Sequence, residues 1–390
     1  MIAPSPFDMS ALAGLMLAGA LLAMLALIWV GWRNRGASPV KRLHALALLT
    51  LVLTFDLVLF GAFTRLTDSG LGCPDWPGCY GSVTPLGAKG QIAQAQAAMP
   101  TGPVTASKAW IEMSHRYFAT GVGLLILVLA IANWVSREGR ALISPWWATA
   151  TLVWVCVQGA FGALTVTMKL FPAIVTLHLL GALLLLAMLT VQVVQHGKVD
   201  PRGGGTHRPN PNERAIHRLA WLAFAAIAFQ IALGGWVSTN YAVLACSEFP
   251  KCQGSWWPAM NFDQGFEIWR KLGFTQSGEL IGFEALTAIH YAHRMMAVIA
   301  VLVTASLAWR LNAIPAMRMA SRCIAGLLGL QLATGLSNVV LGWPLLAALL
   351  HTGGAAALVI ALTWVVAGGR VSAHLHSSNG SVLKMSGLNA

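Results

Sequence analysis

Nine long apolar runs constrain this 390-residue chain more than any other feature. They cover approximately residues 10–31, 45–65, 113–135, 145–167, 173–194, 216–238, 286–308, 319–341 and 345–367. Each is long enough to cross a hydrocarbon layer roughly 30 Å thick, which takes about 20 helical residues. Inside that layer the backbone must satisfy its own hydrogen bonds, so such runs become helices. The expected fold class is an all-α integral membrane protein with nine transmembrane helices. With 57% hydrophobic and 10% charged residues, a soluble globule is excluded. The net charge of +12 could suggest a nucleic-acid binder. Its distribution argues otherwise, because the charges sit in short loops between the runs.

Lys and Arg also set an orientation. They gather after the first run (Arg33, Arg35, Lys41, Arg42), after the third (Arg137, Arg140), from Lys198 to Arg218, from Arg310 to Arg322, and in the tail (Arg370, Lys384). The positive-inside rule places these segments on the inner side of the membrane, with the N-terminus outside and the C-terminus inside. No Lys or Arg precedes the first run, which is long enough to span, so it does not read as a signal peptide. Trp146-Trp147 and Trp256-Trp257 stand near run ends, as interfacial belts do.

The chain repeats itself. Gly61-Ala62-Phe63-Thr64-Arg65 leads to Cys73 and to Cys79-Tyr80-Gly81, and 173 positions later Gly234-Gly235-Trp236-Val237-Ser238 leads to Cys246 and Cys252-Gln253-Gly254. Gln158, Gly162 and His178 map to Gln331, Gly335 and His351 at the same offset. His115 maps to His293 at 178, which needs only a short loop insertion. Spans 2–5 and 6–9 therefore form two tandem, pseudo-symmetric four-helix bundles with a shared orientation. The expected organisation is 1–42, an extra helix and basic loop; 43–197, the N-terminal bundle; 198–215, a Gly/Pro-rich linker; 216–370, the C-terminal bundle; and 371–390, a tail.

Four histidines occupy duplicated positions near the outer ends of spans: His115, His178, His293 and His351. One imidazole on each of two facing helices is how a bundle holds a planar metal macrocycle, and haem iron takes imidazole axially. Packing histidines would account for one such residue better than for four in matched pairs. Zinc would need further ligands at that depth. His44, His196, His207, His217, His374 and His376 fall in inner loops, helix ends or the tail, and most of them read as solvated.

Arg65, Arg116 and Arg294 are expected at outer helix mouths, where they could bind haem propionates or reach lipid head groups. Glu112 stands at the head of its run, one turn before His115, and the second copy has His290 there. An acid in one half and an imidazole in the other suggests unequal tasks, with Glu112 handling a proton. The plainer role is an i,i+4 ion pair with Arg116. Cys73 with Cys79 and Cys246 with Cys252 lie in outer loops, where disulfides form. They would staple lids or exchange with thiols. Cys156 and Cys323, within apolar spans, read as packing residues. The segment Thr67-Asp68-Ser69-Gly70-Leu71-Gly72 follows a helix and opens none, so it reads as a turn rather than a phosphate cradle.

Taken together, these residues resemble the haem A synthase family. The likeness is carried by Arg65-Leu66-Thr67, Ser69-Gly70-Leu71, Asp75-Trp76, Glu112-x-x-His115-Arg116, the two Cys loops, His178 with His351, and the repeat, across about residues 45–367. The resemblance implies an enzyme that oxidises the C8 methyl of haem O to a formyl group, making haem A for terminal oxidases. It implies a cofactor haem b on His293 and His351, substrate haem O on His115 and His178, and a catalytic Glu112. It also implies a reductant, and it makes the enzyme that supplies haem O a candidate partner. Self-association is left open. The first helix is extra to the family's usual eight, and the loop cysteines mark a subgroup. A di-haem b-type electron-transfer cytochrome, a haem transporter and a thiol oxidant are the competing readings. The first would explain the histidines but not Glu112 in one copy only. The last leaves the histidines unexplained.

Overall fold

The computed structural model describes residues 9–136, 143–197 and 211–368. The helices are α1 (Met9–Arg33), α2 (Pro39–Leu66), α3 (Lys89–Ala98), α4 (Ala106–Val135), α5 (Pro145–Thr167), α6 (Pro172–His196), α7 (Pro211–Thr239), α8 (Phe262–Gly265), α9 (Phe283–Asn312), α10 (Arg318–Val340) and α11 (Leu345–Gly368). Among the described residues nine of them, all but α3 and α8, are long and apolar enough to span a membrane. Several of the basic residues used for orientation (Arg137, Arg140, Lys198, Arg202, Arg208, Arg370 and Lys384) lie outside the described residues, as do His207, His374, His376 and the tail 371–390. The helix α7 begins inside the expected linker, whose residues 198–210 also lie outside them.

Helix starts depart most from the apolar runs. The helix α4 begins at Ala106, about two turns before the expected residue 113, because Thr105 caps it by accepting from the Lys108 amide. Ser38 caps α2 in the same way and Pro39 opens it, so the first connection is short. A polar first turn is invisible to hydropathy but fully helical.

In the first copy α2 and α5 each pack against α4 and α6, closing a four-helix ring. Helices α7, α9, α10 and α11 form the corresponding ring. The two meet where α6 contacts α7 and α11 and where α2 contacts α11. Thr176 of α6 lies hydroxyl to hydroxyl with Thr239 of α7 at 3.2 Å. Each ring has its own apolar core, with Leu125, Ile126, Leu129, Leu186 and Leu189 in one and Leu307, Leu311, Ile324, Leu358 and Leu362 in the other. The extra helix α1 lies along α4. Gly19 approaches the Thr120 side chain and the Gly121 backbone so closely that a Cβ at Gly19 would overlap the Thr120 methyl at 2.5 Å. Small residues permit such contact between membrane helices.

Candidate functional site

Both Cys loops sit over the same end of the molecule, above the N-termini of α4, α6, α9 and α11. Cys73 and Cys79 are joined at 2.08 Å and Cys246 and Cys252 at 1.95 Å. Each loop turns through a left-handed pair, Tyr80-Gly81 and Gln253-Gly254, closed by the Cys79–Ser82 and Cys252–Ser255 bridges. A carboxylate caps each turn: Asp75 accepts from the amides of Tyr80 (2.6 Å) and Gly81 (2.7 Å), and Glu248 from that of Gly254. The Thr67–Gly72 segment is a turn, as its composition predicts. A Cβ on Gly72 would lie 2.4 Å from the Lys108 carbonyl carbon, so only glycine lets the loop rest on α4.

Because α4 starts early, Glu112 is in the second turn rather than at the helix mouth, and it is only 4% exposed. One carboxylate oxygen accepts from the Cys73 amide at 2.8 Å and the other from Arg116 at 2.5 Å. His290 does the same work in the second copy. Its Nδ1 lies 3.3 Å from the Cys246 amide nitrogen and its Nε2 3.3 Å from Arg294 Nε, and the one ring nitrogen without a proton accepts. Arg116 goes on to donate to the carbonyls of Asp75, Pro77 and Gly78 at 3.0, 3.2 and 2.6 Å. Arg294 donates to those of Cys246, Glu248 and Lys251 at 2.6, 2.9 and 3.2 Å. Both guanidiniums thus lace a loop onto its helix, away from the open mouths expected for them. Arg65 donates to Ser238 carbonyl (2.7 Å), Tyr241 hydroxyl (2.8 Å) and Asp68 (3.3 Å), joining the two copies. Burial holds the Tyr241 phenol above its ordinary range, so it stays protonated and donates to Asp68 at 2.7 Å.

The four histidines are half-buried, and each turns its Cε1 edge to a glycine on a neighbouring helix: His115 to Gly61, His178 to Gly162, His293 to Gly234 and His351 to Gly335. A Cβ would sit 3.2, 3.7, 2.9 and 3.2 Å from those edges. His115 and His178 are within electrostatic reach of one another, as are His293 and His351. The pairing expected from sequence is thereby brought together in each ring. Among the described residues no three His, Cys, Asp or Glu gather as a metal cage. Two imidazoles alone leave an iron's remaining positions to a macrocycle, so the donor set fits haem better than a bare ion. The buried, unpartnered Nδ1 atoms of His115 and His178 mark the first pair as incomplete.

Some residues fall elsewhere than expected. His196 is buried, not solvated, because it packs beside His44 where the C-terminus of α6 meets the N-terminal turns of α2. Cys156 and Cys323 point outward rather than packing the interior. Asp56, passed over in an apolar run, is exposed on α2 within its membrane-spanning part. A lone ionisable residue there is costly and was a signal in itself.

A family description, cytochrome oxidase assembly protein (COX15-CtaA), matches residues 44–363. This chain belongs to that family. A protein named heme A synthase from Shewanella oneidensis is 36% identical over 320 residues, covering 81% of this chain and 93% of its own. One of the same name from Rhizorhabdus wittichii is 27% identical over 354 residues, with 85% and 95% covered, and one from Halalkalibacterium halodurans is 26% identical over 342, with 84% and 96% covered. The COX15-CtaA match begins after α1, leaving that helix outside the shared part.

Proposed function

We propose that this multi-pass membrane protein is a haem A synthase that oxidises the C8 methyl of haem O to a formyl group. The observation that carries the reading is the pairing of duplicated imidazole–glycine clamps with an unequal neighbour, Glu112 in one copy against His290 in the other. Family membership and the names of the relatives support it. In this reading His293 and His351 would hold a cofactor haem b, and His115 and His178 would hold haem O. Bound haem supplies the oxygen and electron chemistry that no side chain can.

The protein's own part is to hold, orient and exclude. Glu112 is one turn from His115 on the same face of α4, so its carboxylate borders the substrate side of the first pair. Its two hydrogen bonds, from Arg116 and the Cys73 amide, fix its direction and balance its charge. It can then accept or return a proton without leaving its place. The stapled loops cover both sites from the end we assign to the outer face of a bacterial inner membrane. Arg116 and Arg294 would meet a propionate only by giving up a loop carbonyl, so we assign them first to loop anchoring and leave Arg65 as the more accessible propionate partner. A membrane electron donor and the enzyme that delivers haem O are the partners this chemistry requires.

Purification from cells that make haem O, followed by extraction and mass analysis of the bound haems, tests the proposal. Haem B together with haem O, an oxidised intermediate or haem A is expected. Two haem B per chain and no haem A when donor and oxygen are supplied would instead identify a di-haem electron carrier.

A further inference from the structure

The two imidazole pairs differ in what stands behind them. Behind His351, the Thr334 hydroxyl lies 3.0 Å from Nδ1. That hydroxyl already donates to the Leu330 carbonyl at 2.7 Å. Its oxygen must therefore accept from Nδ1–H, which leaves Nε2 unprotonated with its lone pair free. Gln331 also donates to the His351 carbonyl at 2.9 Å. Behind His293, the Gln230 amide nitrogen lies 3.0 Å from Nδ1 and 3.2 Å from the His293 carbonyl, while its Oε1 is buried and unpartnered. The same nitrogen is 3.4 Å from Nε2. Turning the amide would let Oε1 accept from Nδ1–H, in exchange for the bond to the His293 carbonyl.

The first copy lacks all of this. At the positions 173 earlier stand Leu57 in place of Gln230 and Phe161 in place of Thr334. The Nδ1 atoms of His115 and His178 are buried without partners, and so are both amide atoms of Gln158, the counterpart of Gln331. The glycine clamps are duplicated, but the hydrogen-bonded support behind the rings is not.

We propose that Gln230 and Thr334 are positioning residues that pre-set the second imidazole pair for lasting axial ligation. Leu57 and Phe161 withhold that support from the first pair, which makes its ligand exchangeable. This rests on the haem-binding reading above. A partner on Nδ1–H orients a ligating imidazole and raises its basicity, and its loss typically lowers metal affinity about 10–100-fold. Greater basicity also favours ferric over ferrous iron. The two halves would thus be tuned, one to retain and one to release, by four side chains that need not touch the iron.

The full-length protein, purified with its haem, is challenged with excess apomyoglobin as a scavenger, and its midpoint potential is measured by redox titration. Thr334→Val, which keeps shape and removes the acceptor, should release the retained haem about tenfold faster and raise its potential. Thr334→Ser should restore both, and Gln230→Leu should behave like Thr334→Val. The reciprocal change Phe161→Thr should slow haem release from the first half, which keeps the idea testable if a second-half variant fails to fold. Wild-type release and potential in Thr334→Val and Gln230→Leu would overturn the inference. Retention of the same haem by His351→Ala would overturn the ligand assignment beneath it instead.

Discussion

The two Cys loops are built alike, yet one is held by a carboxylate and the other by an imidazole. Glu112 accepts from the Cys73 amide and from Arg116, whereas His290, set between the equivalent Cys246 amide and Arg294, can accept through only its one unprotonated nitrogen. In the first copy the buried pair is charge-balanced; in the second a neutral ring leaves the Arg294 charge to three loop carbonyls. Loop anchoring therefore does not require an acid, and the acid in the first copy is free to have a chemical task. The opposite ends of the rings differ as well. Buried Thr50, Thr54, Asn133, Thr151 and Gln192 of the first copy correspond to Ala223, Ile227, Leu311, Ile324 and Val365 of the second. At these five positions the first ring carries buried polar groups and the second apolar ones.

The comparison breaks most completely at the ligands. His351→Ala or His293→Ala should abolish the low-spin bis-imidazole absorption of the retained haem, and an intact spectrum would remove the second pair from haem binding. Glu112→Gln keeps the shape and hydrogen-bond reach but not the charge. It should lower haem A formation by about 100-fold or more while leaving the retained haem's spectrum unchanged; normal product would reduce Glu112 to a loop anchor. Glu112→His sharpens the point by giving the first loop the second loop's solution, and a folded, haem-bearing, inactive protein is expected. Gly72→Ala presses a methyl into the Lys108 carbonyl, while the second copy already carries Ala245 at that place. Overpacking should cost about 2 kcal/mol, read as a lower thermal midpoint, and Ala245→Gly should cost less than that. Smallest in activity is Cys73→Ser. Closing so short a loop contributes about 2 kcal/mol, so stability should fall while product formation persists. Loss of product equal to that in Glu112→Gln would promote the thiols to reactants.

The spans were legible because hydropathy reads bulk apolarity, and the repeat because glycine, cysteine and histidine spacings survive together. Helix starts were not, since Thr105 and Ser38 cap polar turns that no apolar window includes. Glu112 was found but misplaced for that reason. His196 looked solvated because its neighbour His44 is distant in sequence and only the meeting of α2 with α6 buries it. Gln230 and Thr334 are silent in the repeat, which is defined by the positions that the two copies share. Their signal was the reverse: positions beside a duplicated histidine at which the two copies disagree. The resting place of α1 on α4 had a faint signal in Gly19 and Gly121, but glycine is common in membrane helices.

The bridge from Arg65 to Ser238 and Tyr241 joins residues that are each other's counterparts: Ser238 holds the place of Arg65 in the second copy, and Tyr241 that of Asp68. Asp68 and Tyr241 even share the same left-handed backbone, at φ 50° and 55°. Contact between a position and its own image is the signature of an isologous homodimer. The junction between the two copies therefore has the geometry of such an interface, closed within one chain. Because both sides belong to one chain, a position and its image need not be the same residue, and here an arginine meets a serine carbonyl and a tyrosine where two identical subunits would have to present arginine to arginine.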